Sequence, residues 1–146
     1  MAERTEGSID IAATPAVILG VVSDFDAYPE WAGMVKKIEV LERDGDGRGT
    51  KVRFDVSAVG MNGWYVLNYD YSQGEKAVSW TFLEGSPMKD LQGEYVLEPA
   101  GNGTHVTYRA AVEIGIPMIG FVKRQVNKMI IDTALKGLKK RVESLA

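Results

Sequence analysis

The sequence predicts an α+β domain: a curved seven-stranded antiparallel sheet wrapped on a long C-terminal helix, with two short helices after strand 1. Three observations carry this. A two-residue apolar period runs from about Val35 to Glu113 and is broken at short intervals by turn residues. The last segment, Met118 to Leu145, changes to helical spacing. Between the first strand and the long periodic stretch, Thr14-Pro15 and Asp24-Phe25-Asp26 are start signals for two short helices.

The first strand covers residues 3–12, where Thr5, Gly7, Ile9 and Ile11 share one parity. Thr14 caps the helix over residues 16–23, and Pro15 sits where a first-turn amide is unpaired anyway. The second short helix carries Tyr28-Pro29-Glu30-Trp31. Six strands are predicted near 35–43, 49–58, 63–72, 77–84, 89–98 and 104–113. The breaks are Asp44-Gly45-Asp46-Gly47, Gly60 to Gly63, Gln73-Gly74, Gly85-Ser86-Pro87 and Pro99 to Gly103. Such short connections favour antiparallel neighbours. Parity places Phe54, Tyr65, Leu67, Tyr69, Trp80, Phe82, Tyr95 and Tyr108 on one inward face. Trp64 and Val66 break the pattern on the other face. In the final helix, Ile119, Val122, Val126, Met129 and Thr133 form one seam, and Ile131, Leu135, Leu138, Val142 and Leu145 form another. The two lie on opposite sides of the helical wheel, which predicts a buried face that changes midway.

Composition bounds the function classes. The chain has 146 residues, 45% apolar and 25% charged, and is read as one domain over 1–146. It has no cysteine and one histidine, so disulfides, thiolate nucleophiles and multi-His metal sites are excluded, and no cofactor is called for. A net charge of −3 argues against nucleic acid as a partner. No stretch reaches the length of a membrane span and the first residues lack a signal pattern, so stable membrane insertion is not expected and the default location is cytoplasmic. A monomer and a homodimer both remain open.

The motifs Tyr28-Pro29-Glu30-Trp31, Ile38 to Glu42, Ser79-Trp80, Glu84-Gly85, Met88 to Tyr95 and Gly103 to Tyr108 carry a resemblance over nearly the whole chain. Their order resembles the helix-grip fold of the START-like (SRPBCC) superfamily, in its polyketide cyclase/dehydrase-like branch. The resemblance implies a cavity between sheet and long helix that binds a hydrophobic small molecule: a lipid, polyketide or aromatic compound. It implies a runner-up too, a polyketide cyclase or dehydratase acting in the same cavity. A vestigial pocket in a partner-binding or stress-response module is the third reading.

The residues add a hint of their own. Four phenols on a dry inward face need partners, which water or ligand in a cavity supplies. The wall is assigned to Phe54, Tyr65, Leu67, Tyr69, Trp80, Phe82, Tyr95, Tyr108, Val126, Met129, Ile130 and Thr133. No catalytic residue is assigned, because parity puts no Asp, Glu, Arg or His at mid-strand on the inward face, and proton transfer needs such a group. Trp31 is assigned to anchoring the short helices. The uncharged run 115–121 is read as tucked under the helix N-terminus, with a ligand portal, or a segment that touches a membrane during loading, as the alternative. The basic last helix is read as a solvated face rather than a site for phosphates or anionic lipid, its charges paired as Lys128–Asp132, Asp132–Lys136 and Lys139–Glu143. His105 is read as a surface residue, and Asp44 to Gly47 as a hairpin turn rather than a calcium loop.

Overall fold

The computed structural model describes residues 3–58, 61–117 and 119–145. Strand β1 (Glu3–Ile11) is followed by helix α1 (Pro15–Ser23), a 3-10 turn (Phe25–Ala27) and helix α2 (Tyr28–Trp31). Then come β2 (Val35–Arg43), β3 (Gly49–Ala58), β4 (Met61–Asp70), β5 (Ala77–Ser86), β6 (Met88–Ala100) and β7 (Gly103–Ile114). Helix α3 (Gly120–Ser144) ends the fold. The strands make one antiparallel sheet in the order β1-β7-β6-β5-β4-β3-β2. Thus β2 to β7 form a meander, and β1 closes onto β7 with Ile9 opposite Val106.

The local signals act as read. The Val17 amide donates to the Thr14 hydroxyl at the start of α1, where Pro15 is the first helical residue. At the β2–β3 turn the amides of Asp46 and Arg48 donate to Asp44 Oδ1 at 2.9 and 3.0 Å, a self-contained turn. His105 lies on the surface with Nδ1 2.7 Å from Asp10 Oδ1.

Several boundaries differ. Strand β4 begins two residues early, because Asn62 and Gly63 pair with Ser57 and Val56. Of the turn expected over Gly60 to Gly63, Gly60 lies outside the described residues. Pro87 alone separates β5 from β6, and the Ser86–Pro87 peptide is cis. Met118, where the last helix was predicted to begin, also lies outside the described residues.

The largest correction concerns α3. Its buried face does not switch. One stripe is buried throughout: Asn127, Ile131, Leu135, Leu138 and Val142, with Val126 beside it. The first predicted seam is largely outside, with Met129 40% exposed and Thr133 exposed. From Ile131 to Val142 this stripe is the second predicted seam; its continuation into the first half went unread because the residue there is the polar Asn127. It seats on Gly7 of β1, where a Cβ would stand 2.9 Å from Ile131 Cγ2 and 3.2 Å from Leu135 Cδ1. Only glycine admits the helix that closely.

Of the three ion pairs predicted along α3, only Lys139–Glu143 forms, at 2.8 Å. Both its members are also held by the end of β1. Lys139 Nζ donates to the Asp10 carbonyl at 2.7 Å, and the Ala12 amide donates to Glu143 Oε2 at 3.0 Å. The other two spacings lack such an anchor, and isolated exposed pairs gain little.

Gly137 faces Trp31. A Cβ there would lie 3.4 Å from the Trp31 carbonyl oxygen and 3.6 Å from Cε3, ordinary contact distances. Trp31 therefore packs on the middle of α3, as its assigned anchoring role requires. Gly137→Ala is expected to raise stability by up to about 1 kcal/mol through helix propensity. Chemical denaturation checks this; a loss of more than that amount would mean that the indole needs the full gap.

Candidate functional site

The inward face of the sheet is aromatic. Phe54 on β3 stacks on Tyr65 of β4 at 5.1 Å between ring centroids. Trp80 of β5 meets Tyr95 of β6 at 5.4 Å and Tyr108 of β7 at 5.5 Å, and the two tyrosines are 4.7 Å apart. Room for the Trp80 ring comes from Gly93, whose added Cβ would fall 2.3 Å from the Arg109 carbonyl oxygen and 3.1 Å from Trp80 Cζ2.

A cavity of about 170 Å³ remains between these rings, α2 and the first half of α3. Ten predicted wall residues line it: Phe54, Tyr65, Leu67, Tyr69, Trp80, Tyr95, Tyr108, Val126, Ile130 and Thr133. Two do not. Met129 points off the outer side of α3. Phe82 lies beyond the point where the sheet opens: β5 pairs with β6 only from Ala77↔Val96 to Trp80↔Gly93. Phe82 is thus left half-buried at the edge of the core.

The remaining wall was not read from the sequence. Ala32, Gly33 and Met34 line the cavity from the link between α2 and β2, which has no period to read. Val35 and Met88 turn inward because β-bulges at Val35/Lys37 and Met88/Asp90 reverse the parity of their strands. Asn62, Gly63, Trp64, Ser86 and Pro87 also line the cavity, with the Trp64 ring covered by the Arg53 guanidinium at 4.4 Å. Val66, the other parity exception, is buried on the opposite face of β4, outside the core cluster.

The cavity is smaller than the roughly 300–1,000 Å³ usual for ligand pockets. The cause is the ring-to-ring packing of its own wall. It matches the ~150 Å³ of an apolar void known in another protein to hold benzene. The space therefore admits about one ring or a short chain.

Its electrostatics are those of neutral donors. Tyr28 donates to the Val22 carbonyl oxygen, and Tyr71 to that of Gly49 at 2.5 Å. The hydroxyls of Tyr65, Tyr69, Tyr95 and Tyr108 have no hydrogen-bond partner among the described residues. Two indole N–H groups in the wall, Trp31 Nε1 and Trp80 Nε1, are buried without an acceptor. Burial pushes the phenols of Tyr65, Tyr69, Tyr95 and Tyr108 well above the ordinary tyrosine range, so they remain protonated donors at neutral pH. Among the described residues, no Asp, Glu, His, Lys or Arg lines the cavity, and no group of acidic or His side chains has a metal-holding arrangement.

Residues 2–143 match the profile of a family described as polyketide cyclase / dehydrase and lipid transport. The chain belongs to this family. A START superfamily protein from Mycobacterium smegmatis shares 26% identity over 98% of this chain and 99% of that one, with a TM-score of 0.90. The Zhui aromatase/cyclase from Streptomyces sp. R1128 is 14% identical, covering 98% and 94% of the two chains, with a TM-score of 0.83. A STAR-related lipid transfer protein from Xanthomonas axonopodis is 20% identical, covering 96% and 85%, with a TM-score of 0.72. At those identities the last two establish a common fold, the START or helix-grip arrangement, and nothing finer. These three structures thus share with this chain the fold whose sheet and terminal helix enclose the cavity here. Among the described residues, no helix is long and apolar enough to cross a membrane.

Proposed function

We infer that the protein binds and sequesters an uncharged, largely apolar small molecule that carries a hydrogen-bond acceptor, such as a ring ketone or an ester. The observation that carries this reading is the pairing of an apolar wall with partnerless neutral donors. Burial of the ligand's apolar surface supplies about 25 cal/mol per Å². The unused O–H groups of Tyr95 and Tyr108 then orient its oxygen, at about 0.5–1.5 kcal/mol each. A carboxylate ligand fits poorly, because no cation lines the cavity to compensate its desolvation.

A cyclase or dehydratase in the same cavity is the second reading, supported by the family description. Phenol donors would serve it by holding an enolate oxygen. It also needs a base to remove a proton, and the wall offers only phenols whose burial makes them reluctant to ionise. Sequestration is therefore preferred.

The test compares p-benzoquinone with benzene, which has a ring of the same size and no acceptor and is read by its competition with the quinone. Quenching of the tryptophan fluorescence reports binding, since Trp31 and Trp80 form part of the wall. The quinone is expected to bind more tightly. Tyr95→Phe with Tyr108→Phe is expected to cost it about 5- to 150-fold while leaving benzene unchanged. Equal losses for both compounds would refute the orienting role of the hydroxyls. Conversion of a poly-keto substrate by the wild-type protein would favour the second reading.

A further inference from the structure

We propose that Phe82 sets the length of ligand the cavity admits, by plugging a break in the sheet into which a second fused ring can extend. This rests on the binding reading above and adds to it a size limit and the residue that imposes it. The break follows from two bulges. Strands β5 and β6 are paired only from Ala77↔Val96 to Trp80↔Gly93. Beyond Trp80, β5 follows β4 as far as Trp64↔Ser86, while the first half of β6 follows β7 from Met88↔Ile114. Each strand carries one extra residue there. Leu83 is inserted between Leu67↔Phe82 and Val66↔Glu84, and Lys89 between Met88↔Ile114 and Asp90↔Glu113. A bulge bends and twists its strand, so two bulges on facing strands take the edges out of register. Residues 81–84 and 89–92 thus face each other unpaired inside the sheet.

The cavity reaches this break from three strands. Its wall includes Trp80 of β5, Leu91 of β6, and Leu67 of β4, which stands opposite Phe82. Phe82 shares the inward parity of Trp80 and packs against the core, yet it does not line the cavity and is partly exposed. Its ring therefore stands between the wall and solvent. The cavity holds about one ring, and the ring of Phe82 ends it on this side. The rest of the sheet wall yields less. Strands β3 and β4 are paired around Phe54, Tyr65 and Leu67, as β6 and β7 are around Tyr95 and Tyr108. Widening the cavity there breaks ladder hydrogen bonds, whereas turning Phe82 to another rotamer on its solvent side breaks none.

The test compares p-benzoquinone with 1,4-naphthoquinone, which adds one fused ring to the same pair of acceptors; the chain has no cysteine for either to alkylate. Tryptophan fluorescence reads both. The wild type is expected to bind the smaller quinone more tightly. Phe82→Ala is expected to bind naphthoquinone about 10- to 30-fold more tightly than the wild type does, through burial of the added ring, and to keep p-benzoquinone within about threefold. Phe82→Leu, the milder change, is expected to give a smaller gain of the same sign with an unchanged circular dichroism spectrum. Leu83→Ala, at the exposed bulge residue, is expected to alter neither affinity. A gain or loss shared by both quinones would make Phe82 a packing residue only and overturn the proposal. So would a naphthoquinone affinity that both Phe82 variants leave unchanged. In either case p-benzoquinone binding by the wild type leaves the cavity reading standing; its absence would remove that reading, and this proposal with it.

Discussion

Raising the pH past about 10 is expected to unfold the protein in one cooperative step that coincides with tyrosinate formation. All six tyrosines of the chain take part. Burial raises Tyr28, Tyr65, Tyr69, Tyr95 and Tyr108 well above the ordinary range, and Tyr71 is pushed up to about 12. An unfolded phenol releases its proton near ~10, while the folded one still holds it. Stability is therefore complete below the unfolded value and declines as the pH climbs toward the folded values. Each phenol protonated in the native state and ionised in the unfolded chain contributes a slope of about 1.4 kcal/mol per pH unit. The five buried together approach 7 kcal/mol per unit, comparable with the ~5–15 kcal/mol that holds an ordinary domain together. Tyrosinate absorbance and far-ultraviolet circular dichroism, followed together, check this. Gradual ionisation near pH 10 with an intact fold would place the phenols in water and remove the dry wall on which the binding reading rests.

The second large effect is on binding. Ala134 of α3 lines the cavity and is partly buried against the core. Ala134→Phe puts a ring into a space that holds about one. At about 25 cal/mol per Å², excluding roughly 120 Å² of apolar ligand surface costs about 3 kcal/mol, or some 100-fold in affinity. The fold should tolerate the change, since the new ring enters a void rather than a packed contact.

Much of this arrangement was legible in the sequence because period two is reliable wherever a strand is regular. Val52, Phe54, Leu67, Tyr69, Trp80, Tyr95, Leu97, Val106 and Tyr108 all follow it and all are buried. Legibility fails where regularity does. The bulges that turn Val35 and Met88 inward leave no mark in the apolar pattern. The opening between β5 and β6, which strands Phe82 at the rim, is a pairing event between distant residues. On α3 the second predicted seam is the buried stripe from Ile131 to Val142, but the polar Asn127 hid its continuation into the first half, so Met129 was assigned to the wall although it faces outward. Ala32 to Met34 line the cavity from a link that has no period, next to Trp31, whose contact with Gly137 spans most of the chain. Polarity also misled at the 115–121 run: an apolar segment was assigned to the interior, and the described part of it is exposed. The family resemblance rested on the same motifs that fix the strands and short helices, which is why it reached fold and cavity but not the ligand.

Titration of the wild-type protein and the Ala134→Phe variant with p-benzoquinone, read by tryptophan fluorescence, tests the central claim most directly. Saturable binding by the wild type, weakened about 100-fold in a variant of unchanged fold, is the result required of an interior site. Equal affinity for both proteins would put the ligand elsewhere on the molecule and contradict the account.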